Sequence, residues 1–120
     1  MERADVESWV RGYEKAWASN DAADIGGLFT DDATYRFHPY DEPLRGRGAI
    51  VEQWIENKDE PEDYRFQWEV AGIEGNLAFV TGATDYFTPP PRTYSNLWVI
   101  RLAPDGRSED FTEWFMKHPD

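Results

Sequence analysis

The chain has 120 residues and no cysteine, which excludes a disulfide framework, a thiol nucleophile and a zinc–cysteine centre. Histidine is nearly as scarce. His38 and His118 stand far apart, and the carboxylates around them follow no ligand spacing, so neither a metal nor a cofactor is expected. Basic residues are few, 12 Lys and Arg against 24 Asp and Glu, for a formal net charge of -12. Both halves share the acid excess and no basic patch stands out, which excludes a nucleic-acid partner held by its phosphates. No apolar run approaches the roughly 18 residues of a membrane span. No signal-peptide pattern opens the chain, so a cytoplasmic location and no membrane partner are expected.

What the chain has instead is aromatic side chains: 6 Trp, 6 Tyr and 7 Phe. An acidic disordered segment would be poor in them, so residues 1–120 are expected to form one globular domain. In Asp5–Ser19, apolar residues recur at Val6, Trp9, Val10, Tyr13, Ala16 and Trp17, the spacing of an amphipathic helix with Asp5 as its cap. The Asn20-Asp21 pair stops it and caps a short second helix carrying Ile25, Leu28 and Phe29 inward. Ala33–Phe37 reads as a strand, followed by a proline-stiffened loop from His38 to Pro43. Gly48 leads into a third helix over Ala49–Lys58, which the acidic stretch Asp59–Asp63 ends.

From Tyr64 onward the period changes to two. Tyr64, Phe66, Trp68 and Val70 alternate with polar residues. Further strands are expected over Leu77–Thr88, Tyr94–Leu102 and Phe111–Lys117, divided by Glu74-Gly75-Asn76, Pro89-Pro90-Pro91 and Pro104-Asp105-Gly106. Three helices in the N-terminal half followed by a mostly antiparallel meander make an α+β domain.

With Leu28-Phe29-Thr30-Asp31-Asp32-Ala33-Thr34, Arg45-Gly46-Arg47-Gly48-Ala49-Ile50, Gly106-Arg107 and the ending Glu113-Trp114-Phe115, the chain resembles the SnoaL-like branch of the nuclear transport factor 2 superfamily. The resemblance covers nearly the whole chain. It implies a cone-shaped half-barrel, a strongly curved mixed sheet wrapped around a long helix and enclosing a pocket. The fold hosts isomerases, dehydratases, epoxide hydrolases, cyclases and non-enzymes, so it specifies structure more than activity. Ketosteroid-isomerase-like members imply Tyr13 as a hydroxyl donor, place Phe37, with His38 beside it, where their base stands, and put Trp98 or Asn96 at their second acid. Limonene-epoxide-hydrolase-like members imply Asp85 and Glu113 as paired acids, although Ala83 stands where their arginine belongs. The paired histidines of scytalone-dehydratase-like members have no counterpart.

Strand parity gives a separate reading of the same residues. Tyr94, Asn96, Trp98 and Ile100 share one face, as do Phe111, Glu113 and Phe115, and likewise Phe79, Ala83 and Asp85. If Trp98 and Phe79 point inward, Asp85 and Glu113 enter one apolar space, where burial would pull their pKa values toward acid–base work. The expected site therefore has Asp85 and Glu113 as the acid–base pair, with Tyr13, His38 and Asn96 orienting polar atoms. Trp17, Tyr35, Phe37, Trp54, Trp68, Trp98 and Phe115 would form its walls, around a small and mostly apolar ligand. The alternative is a non-catalytic binding or dimerising module. Leu97, Val99, Trp114 and Met116 form an apolar patch of opposite parity, so a homodimer through the outer sheet face is expected under either reading.

Overall fold

The computed structural model describes Met1–Asp120. Helix α1 spans Arg3–Ser19 and begins earlier than the apolar spacing suggests. Asp5 lies in its first turn rather than at its cap and accepts the backbone N–H of Glu2 at 2.8 Å. A carboxylate there satisfies an orphan donor and faces the positive end of the helix dipole. Asn20 ends the helix in the left-handed conformation, φ 51°, its amide donating to Ala16 at 2.8 Å. Asp21 then caps α2 (Ala22–Gly26) by accepting the amides of Ala23 and Asp24 at 2.9 and 3.1 Å.

Leu28 and Phe29 do not belong to that second helix. Phe29 opens strand β1 (Phe29–Arg36), and the Leu28 carbonyl accepts the Ser108 amide at 2.7 Å. The partner that extends β1 is the last strand of the chain, which local spacing does not reveal. A short β2 (Leu44–Arg45) pairs antiparallel with β1 inside the proline-bounded loop. Helix α3 (Arg47–Glu56) starts at Gly46, not Gly48, because the chain turns there through φ +92°, a conformation open chiefly to glycine. After a 3₁₀ turn at Pro61–Asp63 come β3 (Tyr64–Glu74), β4 (Leu77–Tyr86), β5 (Arg92–Leu102) and β6 (Ser108–Lys117).

The six strands form one unclosed mixed sheet in the order β2-β1-β6-β5-β4-β3, parallel only between β1 and β6. It curls over α1 as the α+β half-barrel expected. Val6, Trp9, Val10, Tyr13 and Ala16 of α1 are buried against Val80, Trp98, Ile100 and Phe111 of the sheet. Burying each large side chain stabilises the fold by ~1.5–3 kcal/mol. Trp9 also satisfies its indole N–H on the Leu28 carbonyl at 2.9 Å, tying helix to sheet edge.

Register decides which residues of each strand face α1. In β4, Val80 lies opposite Trp98, Gly82 opposite Asn96 and Thr84 opposite Tyr94. Directly opposed residues share a face, so the inner residues of β4 are Ala78, Val80, Gly82, Thr84 and Tyr86. Phe79 and Asp85 belong to the outer face. This overturns the expectation that Phe79 points inward and carries Asp85 with it. Gly82 is the tight point of the inner face. A Cβ there would lie 2.8 Å from both the Gln67 carbonyl and the Phe66 ring, which stacks on Trp98 at 5.0 Å.

No helix is long and apolar enough to cross a membrane.

Candidate functional site

Between α1, α3 and the inner sheet face lies a cavity of about 330 Å³. Its wall is aromatic: Tyr13, Trp17, Tyr35, Phe37, Trp54, Tyr86, Tyr94, Trp98 and Phe115. Its polar groups are Asn57, Lys58, Asp59, Thr84, Arg92, Asn96 and Glu113. Tyr13 comes from α1, two turns beyond Val6, so the stripe that anchors the helix also delivers this ring to Trp98, 4.3 Å between centroids. Tyr35 arrives from β1 and stacks on Phe111 of β6 at 4.6 Å.

The floor of the cavity is a small polar cluster in apolar surroundings. Tyr13 and Tyr35 hydroxyls bond each other at 3.2 Å, one donating and one accepting. Burial raises both phenol pKa values, Tyr13's well above normal, and the nearby Glu113 carboxylate raises them further. Both hydroxyls therefore stay protonated across the physiological range. Glu113 itself lies opposite Trp98 in the β5–β6 pairing. Water in the cavity can touch it, but protein atoms surround its carboxyl on nearly every side. That burial pushes its pKa up from 4.5 to about 8, opposed in part by the Trp98 indole and the Asn96 amide. The Asn96 Nδ2–H donates to Glu113 Oε2 at a long 3.4 Å, and Asn96 Oδ1 accepts from the Thr84 hydroxyl at 2.8 Å. The Trp98 N–H has no partner of good hydrogen-bond geometry, although it is buried. An unmet buried donor costs ~1–3 kcal/mol, and this one belongs to a ring that lines the cavity.

The mouth is built differently. Asp59 accepts the Trp17 indole N–H at 3.1 Å and the Tyr86 hydroxyl at 3.0 Å. Its backbone carbonyl accepts from the Asn20 amide at 3.2 Å, and Asn20 Oδ1 accepts from the Trp54 indole at 3.2 Å. The left-handed residue that ends α1 is thus also the clamp between α3 and the segment behind it. Arg92 lies over the Tyr86 ring, 4.6 Å from its centroid.

Of the residues singled out from sequence, the structure brings Tyr13, Trp17, Tyr35, Phe37, Trp54, Asn96, Trp98, Glu113 and Phe115 to one cavity. Asp85 lies on the opposite side of the sheet. There it accepts from Thr93 at 2.7 Å and from Arg65 at 2.8 Å, and these two donors hold its pKa below the normal carboxylate value. His38 does not line the cavity. Its Nδ1 bonds Asp41 at 2.8 Å, and its ring packs between Tyr40 and Phe115. Trp68 has the inner parity but is covered by α1, its indole donating to Glu14 at 2.7 Å. Asp59, Tyr86 and Arg92 are absent from the sequence expectation, and Tyr94 stands there on the right face but not among the walls. For Tyr94 and Arg92 the signal existed, since each shares parity with Trp98, whereas Tyr86 is placed inward only by the pairing of β4 with β5. Asp59 had none, lying in a run of acids where any one could have turned inward.

The SnoaL-like domain family matches residues 10–111, and the chain belongs to that family. No curated protein matches it in sequence. Solved structures share the fold at low identity. An NTF-2 like protein of unknown function from Burkholderia xenovorans LB400 is 17% identical with a TM-score of 0.75, over 98% of this chain and 87% of that one. An LEH-like epoxide hydrolase of M. tuberculosis is 15% identical with a TM-score of 0.71, over 97% and 86%. The epoxide hydrolase/cyclase-like enzyme SalBIII, described for its role in pyran ring formation in the polyether salinomycin, is 18% identical with a TM-score of 0.69, over 92% and 89%.

Proposed function

We propose that the cavity is the active site of an acid–base enzyme acting on a small, mostly apolar molecule, with Glu113 as its proton carrier. The observation behind this reading is a single carboxyl at the floor of an aromatic cavity, flanked by two hydroxyls and an unpartnered indole N–H. A carboxylic acid titrating near pH 8 is largely protonated at neutrality, yet it can give and retake a proton without extreme cost.

Because Asp85 faces away, one carboxyl has to fill both roles. That favours a reaction in which a proton leaves Glu113 for a carbonyl or epoxide oxygen and another returns to it from the same substrate. Isomerisation or intramolecular ring closure fits this balance. Hydrolysis would need a second group to activate water. Tyr13 and Tyr35 would orient the substrate oxygen, and the Trp98 N–H, which meets Glu113 only with poor hydrogen-bond geometry, would donate to it. The similarity to epoxide hydrolase- and cyclase-like structures supports this class through the fold alone.

A panel of small apolar epoxides, hydroxy-epoxides and unsaturated ketones, followed by mass spectrometry and NMR, tests the proposal. Conversion should fall at least ~100-fold in Glu113→Gln, the usual scale for a lost general acid or base, and stay unchanged in Asp85→Asn. Conversion that survives Glu113→Gln removes the assignment. On the outer face, Trp114 and Met116 are 48% and 73% exposed, with Leu97 opposite Trp114. We propose that this patch pairs two copies of the chain, which light scattering would refute by finding a ~14 kDa species at micromolar concentration.

A further inference from the structure

The mouth of the cavity carries two cations in a protein that is strongly acidic elsewhere. Arg92 shares the inner face of β5 with Tyr94, Asn96 and Trp98, so it stands at the outer end of the same row that reaches the floor. Lys58 approaches from the segment after α3. Neither belongs to any of the ion pairs within 4.0 Å that the fold makes. Arg92 makes only long bonds, at 3.4 Å, to the carbonyls of Thr88 and Pro90. The acids nearby are already occupied. Asp59 accepts from Trp17 and Tyr86, and Asp63 accepts the Thr88 hydroxyl and amide. Most other arginines in the chain find a carboxylate, including Arg65, Arg36, Arg47 and Arg107. Where 24 acids outnumber 12 bases, a half-buried guanidinium without one is left open to an anion from outside.

We infer that the substrate is an elongated apolar molecule ending in a carboxylate, whose head is held at the cavity mouth by Arg92 with Lys58 while its reacting end reaches Glu113. The inference rests on the reading of the cavity as a substrate site and adds the chemical class of its occupant. Geometry sets the order of the parts. Arg92 lies six residues along β5 from Trp98, the partner of Glu113, roughly 20 Å of extended strand. The Arg92 side chain spans part of that distance, and an apolar body against Tyr94, Phe115 and Trp17 spans the rest. The guanidinium is already oriented by its stacking on Tyr86, so its planar fork is offered to a carboxylate with little further ordering. Asp59 and Asp63 match the two cations in number, but neither carboxylate forms an ion pair with them within 4.0 Å, so the guanidinium fork stays open to a single negative head. The floor suits an uncharged oxygen, because Glu113 would repel an anion whenever it ionised.

The probes are 6-phenylhexanoate and its primary amide, which differ only in the charge of the head. Trp17, Trp54 and Trp98 line the cavity, so their fluorescence reports occupancy, with calorimetry as a second measure. The carboxylate should bind at least tenfold more tightly than the amide at pH 7. Arg92→Gln should erase that gap, Arg92→Lys should keep most of it, and Lys58→Gln should narrow it about threefold. Thermal melts of each variant establish that it is folded. Equal binding of acid and amide overturns the inference. A preference that survives Arg92→Gln but disappears in Tyr35→Phe also overturns it, by seating the carboxylate on the floor. Loss of the preference with Glu113-dependent conversion intact would refute this inference alone, and conversion that survives Glu113→Gln would refute the proton-transfer reading alone. If neither probe binds, this inference falls, and the proton-transfer reading still stands or falls on Glu113-dependent conversion.

Discussion

Asp85 and Glu113 are two carboxylates on strands of one sheet, and the sheet treats them in opposite ways. Glu113 faces the cavity with one long hydrogen bond from Asn96, and burial pushes its pKa up to about 8. Asp85 faces outward with Thr93 and Arg65 as donors, and its pKa is driven down. Neither the residue type nor the strand accounts for the difference. Whether an acid is poised to move protons or merely anchors an arginine depends on which side of the pleat it occupies, and a shift of one residue would exchange the two fates.

The widest predicted gap between the two faces is in the pH dependence of stability. The folded pKa of Glu113 exceeds its unfolded value of 4.5, so above pH 4.5 the folded state holds a proton that the unfolded state has released. Stability therefore declines as pH rises from about 4.5 and the loss is complete above about 8. The full amplitude is on the order of 5 kcal/mol. Urea melts of Glu113→Gln should lack this decline, leaving the variant more stable than the parent at pH 8.5. Parallel curves for the two proteins would mean that the carboxyl is solvated.

A smaller effect should come from Gly82 on the inner face. Gly82→Ala forces a Cβ against the Phe66 ring and the Gln67 backbone, an overpacking cost of about 1–3 kcal/mol. Its outward neighbour tolerates more, and Ala83→Ser should stay within ~0.5 kcal/mol of the parent. Similar losses from both would place Gly82 outside the packed face.

Tyr35→Phe comes next. It removes the hydroxyl partner of Tyr13 at a cost of about 1 kcal/mol, read by thermal melting. An unchanged melting temperature would show that the hydroxyl pair contributes nothing to stability.

The smallest effect should belong to Asp85→Asn. A depressed carboxylate pKa contributes stability above its unfolded value near 3.8, lost as pH falls through the folded value. The variant should therefore be slightly less stable than the parent at neutral pH, by a margin that shrinks as pH falls below 3.8, and that margin is small because the ion pair with Arg65 is largely exposed. A large difference at neutral pH would show that Asp85 supports the site from behind.

Sequence period identified the helices and the four long strands, because alternation and helical spacing are local signals. The phase of a strand is not always local. In β5 and β6 the bulky Trp98 and Phe111 set it without ambiguity, and Asn96 and Glu113 followed correctly. In β4 both faces carry small or apolar side chains, Ala78, Val80 and Gly82 against Phe79, Thr81 and Ala83, so polarity offers no contrast. Only pairing with β5 decides it, so spacing alone puts Asp85 on the wrong side. The same limit explains β1, whose start at Phe29 depends on a strand almost eighty positions away. Asp59 was hidden for a different reason. Glu60, Glu62 and Asp63 follow it with the same charge, and its role comes from Trp17 and Tyr86, distant in sequence.

The pairing of β1 with β6 also bears on how the molecule is assembled. The strand that carries Glu113 is the sixth of the sheet in chain order, yet it lies inside the sheet and joins the β2–β1 pair to β5, β4 and β3. Such a long-range junction is slow to form, since the chain must close a large loop before any contact compensates for it. Until it forms, β1 has no bridge to β5, and the Tyr13–Tyr35 pair has no carboxyl beside it. A partly folded chain therefore has neither a complete sheet nor the acid of the site.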